Sequence, residues 1–339
     1  MPNAKKLPSG NWRVQVYSYT DAAGRKHYQS FTAPTKAAAE MEAAAFKNDI
    51  DRRRADDITV TEAITSYIDS NDGVLSPSTI RGYRMDLKRV EPIANVKIRK
   101  LTSQILQSFI TELSKTKSPK TVKNTYGLIA SSLAFCGIEK KFKIHLPTIP
   151  KKAKNAPENE QIVALYNAAS HKMKIAIMLA AFHSLRRGEI CGLKYKDLKN
   201  GTLHIHSDVV RGSDGWVHKE TPKTDASNRI IYLTDPEIKL IGTGEPDSYI
   251  VNITPATINK DFATLRKKIG VENLRFHDLR VFFSSVAIAM NIPDIYTSHL
   301  GGWREGSSVL KERYQKPIVS INEGYANKMN DYFSKMIDF

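Results

Sequence analysis

The sequence predicts a chain in three parts: a small α+β unit of a three-stranded sheet plus a helix, an all-α helical unit, and a mainly helical, mixed α/β unit. Three observations carry this reading. Apolar residues alternate near the start, recur at helical spacing from Thr59 to about Gly137, and mix both periods beyond a proline- and lysine-rich stretch, Pro147 to Pro157. The expected bounds are 1–55, 56–150 and 151–339. A length of 339 residues suits two or three domains, and a hydrophobic fraction of 41% is enough to bury real cores.

In the first part, Trp12, Val14 and Val16 point one way while Arg13, Gln15 and Tyr17 point the other. A turn is expected at Asp21-Ala-Ala-Gly24, then a second strand through Lys26–Phe31. Thr35 reads as the cap of an alanine-rich helix over Lys36–Asn48, and Asp51–Asp57 as a charged linker. The outward basic and aromatic positions suit either a DNA-reading face or an ordinary solvated one. In the second part Val60, Ile64, Tyr67 and Ile68 form one stripe, with Thr59 or Thr61 as cap. Ser76-Pro-Ser-Thr opens the next helix, Ile105, Phe109, Ile110 and Leu113 form a third stripe, and Thr121–Phe135 a fourth helix. Arg81, Arg84, Lys88, Arg89, Lys115, Lys117, Lys120 and Lys123 interleave with them, as either a DNA clamp or solvated helix faces. In the third part, helices are expected at 158–169, 172–184 and 187–194. Strands follow at Leu203–Val210, Trp216–Lys219 and Arg229–Leu233, and helices resume from about 255.

Charge narrows the function. Lysine and arginine number 51 against 35 acidic residues, a formal charge of +16 and a pI near 9.6. Such a surplus needs a polyanionic partner, and nucleic acid is the first candidate. A membrane is not expected: no secretory pattern or lipidation signal is visible, and the longest apolar run, Ile175–Phe182, is far too short to span. Cys136 and Cys191 cannot make a disulfide framework. A cytoplasmic, nucleic-acid-facing protein is expected.

Four sequence features carry chemistry. An apolar helix runs into Ser184-Leu-Arg186-Arg-Gly-Glu189, where a guanidinium beside buried chain calls for an anion, either Glu189 itself or a ligand. His277-Asp-Leu-Arg280 opens another apolar helix, and spacing i, i+3 lets both side chains face one anion; a capping histidine with a surface arginine is the plainer alternative. Leu300-Gly-Gly-Trp303 and Arg313-Tyr314 follow. His204 and His206 lie two apart on a strand, as a metal pair or a polar strand face.

Taken in order, these boxes resemble the tyrosine recombinase family, the phage-integrase type of site-specific recombinase. The resemblance covers Glu158 to about Pro317. It assigns Arg186 to the first arginine box, with Ser184 where the family often has glycine, and Lys223 to a hairpin-turn lysine. His277 and Arg280 fill the second box, Trp303 the histidine-or-tryptophan slot and Tyr314 the nucleophile slot. The interval from Trp303 to Tyr314 is slightly long, which leaves Tyr325 as the fallback. The resemblance implies a C-terminal catalytic domain of tyrosine-recombinase type, a first part that binds arm-type sites, and a SAM-like second part that binds core sites.

It also implies a reaction: DNA strands are cut and rejoined through a 3′-phosphotyrosine on Tyr314. Arg186 and Arg280 would hold the non-bridging oxygens, Lys223 protonate the leaving 5′-oxygen, and His277 serve Tyr314 as base or relay. Trp303, a donor only, would brace a phosphate oxygen, and Glu189 would orient the arginine box. No metal or other cofactor is expected. The expected partners are double-stranded DNA with core and arm-type attachment sites, further copies of the chain in a tetramer on DNA, and an excision factor or DNA-bending protein. The C-terminal stripe Ile321, Tyr325, Met329, Tyr332, Phe333 and Met336 packs either in its own chain or on a neighbouring protomer. Two alternatives stay open: a type IB topoisomerase-like enzyme that relaxes DNA, and a non-catalytic DNA-binding protein on the same fold.

Overall fold

The computed structural model describes residues 3–20, 24–138, 140–150, 156–220 and 225–336, with the backbone alone for 48–56, 225 and 331–336. It divides into two compact units, Met1–Pro150 and Lys151–Phe339.

The first unit opens with an antiparallel sheet in the order β1 (Lys5–Lys6), β2 (Trp12–Thr20), β3 (Lys26–Ala33). Alternation puts Val14 and Val16 against Ala39 and Ala43 of α1 (Lys36–Asp56), while Arg13, Gln15 and Tyr17 face solvent. α1 runs through the stretch expected as a charged linker: 51–56 is helical, because its arginines and Ala55 carry good helix propensity and nothing there breaks the helix. Of the expected turn Asp21–Gly24, residues 21–23 lie outside the described residues, and Gly24 sits at φ +79°.

Four helices follow: α2 (Val60–Ser70), α3 (Pro77–Arg89), α4 (Ser103–Thr116) and α5 (Pro119–Phe135). Their starts are written locally. Thr59 and Glu62 form a reciprocal capping box, Thr102 and Ser118 cap α4 and α5, and Pro77 and Pro119 occupy first turns. The apolar stripes, with Ile64, Ile68, Phe109, Ile110 and Leu128 among them, bury one shared core.

The second unit is built around α7 (His171–Phe182). Every residue from Ile175 to Ala181 is buried, as expected of a helix that is apolar all round. It packs against α6 (Asn159–Ala168), α8 (Arg187–Gly192) and α11 (Asp278–Ala289). Beside them lies an antiparallel sheet of β4 (Leu198–Lys199), β5 (Thr202–Ile205) and β8 (Arg229–Tyr232), plus a separate hairpin of β6 (Asp208–Arg211) and β7 (Trp216–Lys219). The single strand expected over Leu203–Val210 is therefore two, parted at His206-Ser207, where Ser207 donates to the Gly192 carbonyl instead of a strand partner. Helices also resume earlier than expected, with α9 (Asp235–Ile241), whose start is a Thr234–Glu237 capping box. Then come α10 (Pro255–Lys268), α12 (Asp294–Gly301) and α13 (Val319–Met336). Glu158 accepts from Val319 N–H at 2.8 Å and Ser320 Oγ at 2.7 Å, tying the start of α13 to that of α6. No helix among the described residues is long and apolar enough to cross a membrane.

Candidate active site

The first arginine is delivered by a sharp bend. Between α7 and α8, Ser184 sits at φ +60°, the left-handed region that glycine adopts freely and serine only under strain. The bend puts Arg186 at the N-cap of α8. Its N–H donates to Glu189 Oε2 at 2.9 Å, and its Nη1 donates to Glu189 Oε1 at 2.6 Å and to Ser227 Oγ at 3.1 Å. Its Nη2 reaches the Gly302 carbonyl at 3.4 Å. The bridged reading of the Arg186–Glu189 spacing is the one observed, and 29% of the arginine side chain stays exposed. Burial pushes the Glu189 carboxyl up, but the charges of Arg229, Arg186 and Arg280 outweigh it and hold the group below its ordinary range.

The second arginine is buried. His277 precedes α11 at its N-cap position, without a side-chain cap bond, and Arg280 lies in the first turn, only 1% exposed. Arg280 Nη2 donates to the Gly301 carbonyl at 3.2 Å, and its guanidinium lies 4.7 Å from the centre of the Trp303 ring and 5.7 Å from that of Tyr314. Its Nε and Nη1 have no hydrogen-bond partner among the described residues. Burial first, and then repulsion from Arg186, pushes its pKa down to about 9. A buried cation with unused donors is costly, and an anion that accepts from them relieves that cost. Trp303, also buried, has an equally unpartnered Nε1.

The phenol arrives on a single π-type turn, Leu310–Tyr314, a local widening of the helix of the kind that marks functional sites. The Tyr314 hydroxyl is 2.8 Å from His277 Nε2, and its ring meets that of Trp303 edge-on at 4.9 Å. Ser284 Oγ of α11 donates to the Tyr314 carbonyl at 2.8 Å, fixing the turn. His277 is exposed to solvent. Even so, packing around the ring, then the Arg280 and Arg186 charges, lower its pKa to about 4. The imidazole is therefore neutral at neutral pH and able to accept the phenol proton.

Six expected residues thus converge: Arg186, Glu189, His277, Arg280, Trp303 and Tyr314. Lys223 lies outside the described residues; the β6–β7 hairpin that precedes it ends at Lys219. Tyr325, the fallback nucleophile, stands 51% exposed on α13. The two strand histidines have separate partners, His204 with Asn228 Oδ1 at 2.7 Å and His206 with Asp197 Oδ1 at 3.0 Å. Among the described residues no cluster of three or more metal-ligating side chains occurs. Arg229 escaped the sequence reading. Its side chain is 1% exposed and bonds Glu189, Ser184, Ser227 and Leu300. The signal was strand alternation, which puts Arg229 in phase with buried Ile231.

On the outer face of the first unit's sheet, Tyr19 stacks on His27 at 4.6 Å and Tyr17 meets Tyr28 edge-on at 5.9 Å. Arg13, Gln15 and Lys26 share the exposed strands.

Two family models match this chain: the phage integrase family over residues 156–318 and the phage integrase N-terminal SAM-like domain over residues 66–135. The chain belongs to the phage integrase family of tyrosine recombinases. An integrase of Staphylococcus phage L54a is 28% identical over 259 residues, which are 67% of this chain and 64% of that protein. An integrase of Saccharopolyspora erythraea is 30% identical over 81 residues, 24% of this chain and 18% of that one. Among solved structures, the Tn1549 transposon integrase in complex with transposon right end DNA superposes with a TM-score of 0.65 at 15% identity, over 80% of this chain and all of that one. A lambda integrase tetramer bound to a Holliday junction superposes with a TM-score of 0.54 at 16% identity, over 93% and 95% of the two chains. The expected fold class, sheet plus helix, helical bundle and mainly helical C-terminal unit, is the one observed, with the first two elements inside one compact unit.

Proposed function

We propose that this chain is a site-specific DNA recombinase, an integrase of a prophage or integrative element, that cuts and rejoins strands through a covalent 3′-phosphotyrosine. The observation that carries the reading is the Tyr314 hydroxyl, 2.8 Å from a neutral imidazole and beside a buried arginine with unused donors. In the reaction, the Tyr314 oxygen attacks the scissile phosphorus as His277 takes its proton, and the phosphorus passes through a pentacoordinate state with added charge on its non-bridging oxygens. Arg186 and Arg280 stabilise that charge, Trp303 Nε1 adds a neutral donor, and Lys223 protonates the leaving 5′-oxygen. The phosphodiester energy is kept in the tyrosyl ester, so rejoining is the reversal of cutting by the 5′-hydroxyl of a new strand. The guanidiniums supply the charge stabilisation, and no metal is required.

The remaining parts fit binding. Residues 1–55 would bind arm-type sites through the basic, aromatic sheet face, 56–150 core sites, and 151–339 would carry catalysis and the tail helix. Tyr325 and Met329 of α13 are more than half exposed, which supports association with further copies on DNA, up to a tetramer. An excision factor or DNA-bending protein would set direction.

The test uses nicked duplexes tiled across the DNA that flanks the coding region. A protein–DNA adduct on denaturing gels is expected, lost in Tyr314→Phe and kept in Tyr325→Phe. No adduct on any duplex would leave a DNA-binding protein, and adducts without strand exchange between two duplexes would favour the topoisomerase.

A further inference from the structure

We propose that Arg229 is a positioning residue of strand cleavage: it occupies one oxygen of Glu189 so that Arg186 is held through a single nitrogen and keeps the rest of its fork for the scissile phosphate. The proposal rests on the recombinase reading above and adds a residue to it.

Arg229 cannot touch DNA, since its side chain is 1% exposed and its donors are spent inward. Nε donates to the Leu300 carbonyl at 3.0 Å and Nη1 to that of Ser227 at 3.2 Å. Nη2 donates to the Ser184 carbonyl at 3.4 Å and to Glu189 Oε2 at 3.2 Å. One side chain thereby joins the bend before Arg186, the approach to Trp303 and the strand after the hairpin.

The consequence falls on Arg186. A carboxylate beside a guanidinium favours the two-bond, fork-to-fork arrangement, which uses two nitrogens of the arginine. Here Glu189 Oε2 is already taken by Arg229 Nη2 and by the Arg186 N–H. Only Oε1 remains, and Arg186 binds it through Nη1 alone, leaving Nη2 with a long 3.4 Å contact to the Gly302 carbonyl. Arg229 also balances the Glu189 charge, so the carboxylate does not cancel the cation that the phosphate needs. Lysine has the charge but not the planar fork that reaches several carbonyls at once.

Adduct formation on the same nicked duplexes, measured as a single-turnover rate, tests this in Arg229→Met, Arg229→Lys, Glu189→Gln and the Glu189→Gln/Arg229→Met double variant. Arg229→Met is expected to cleave about a hundredfold more slowly, with DNA affinity at fixed salt within about twofold of the unaltered protein. The double variant is expected to cleave about tenfold faster than Arg229→Met alone, because removing the carboxylate charge frees Arg186 again. A purely structural Arg229 would make the double variant as slow as the product of the singles or slower. That result overturns the proposal, as does normal cleavage by Arg229→Met. If Arg229→Met does not fold, Arg229→Lys replaces it in both single and double form. Failure of both to fold assigns Arg229 to stability alone and also overturns it. Absence of a Tyr314-dependent adduct in the unaltered protein is a different failure, one that removes the recombinase reading itself.

Discussion

As the proposed base, His277 has to be hard to protonate. Burial and the two arginines lower its pKa from 6.5 to about 4, so below the ordinary value the unfolded chain takes up a proton that the folded chain refuses. The folded state therefore keeps this contribution to stability above pH 6.5 and loses it as pH falls through 6.5 toward 4. In an NMR titration of the free protein the His277 ring should shift near pH 4, and adding DNA should raise that value, since a phosphate between the arginines offsets their charge. A midpoint near 6.5 without DNA would show that neither burial nor the arginines act on the ring. Ser184 makes the complementary case. It pays left-handed strain and buries a hydroxyl with no partner, so Ser184→Gly removes both costs. Glycine's extra chain entropy offsets part of the gain, which leaves a stabilisation of about 1 kcal/mol. Thermal melting should rise by about 2–4 °C.

Elements that read themselves locally were legible in the sequence. Thr59, one of two expected caps, begins α2, and the alternation of β2 buries Val14 and Val16 as expected, whereas the Ser118 cap starts α5 ahead of the Thr121 expected for it. What was not legible depends on contacts distant along the chain. Six side chains of the site could be ordered from their motifs, but nothing local says that Arg229, on a strand, meets Glu189 forty residues earlier. The π-type turn was hidden for the same reason. α11 holds it, through Ser284 Oγ on the Tyr314 carbonyl and Ser285 Oγ accepting from Lys316 N–H at 3.2 Å. Ser284→Ala should loosen that hold without touching DNA or removing any reacting group. Adduct formation is expected to fall about tenfold with DNA affinity unchanged, as a small misplacement of the nucleophile is costly. Retention of the full rate would mean that the Ser284 bond is not needed to place the phenol.

At the scale of the whole chain, binding and chemistry respond to different electrostatics. The +16 charge lies largely on solvated side chains such as Lys88, Lys117 and Lys120, whereas Arg84, Arg89 and Lys115 are paired with Asp72, Asp86 and Glu112. Exposed lysines bind phosphates by releasing counterions, so affinity for duplex DNA should fall about a thousandfold between 50 and 200 mM salt if some six phosphates are contacted. Arg280, by contrast, is 1% exposed, and mobile ions screen a buried charge poorly. Once DNA is saturating, the single-turnover rate of adduct formation should therefore change by less than about threefold over the same range. The same rate should be unmoved by a chelator at constant ionic strength, because in the proposed reaction the arginines carry the charge that a divalent metal would otherwise supply. Filter binding and denaturing gels run in parallel separate the two effects. A rate that fell with salt as steeply as the affinity would place the charge that drives cleavage on the surface, and not around Arg280.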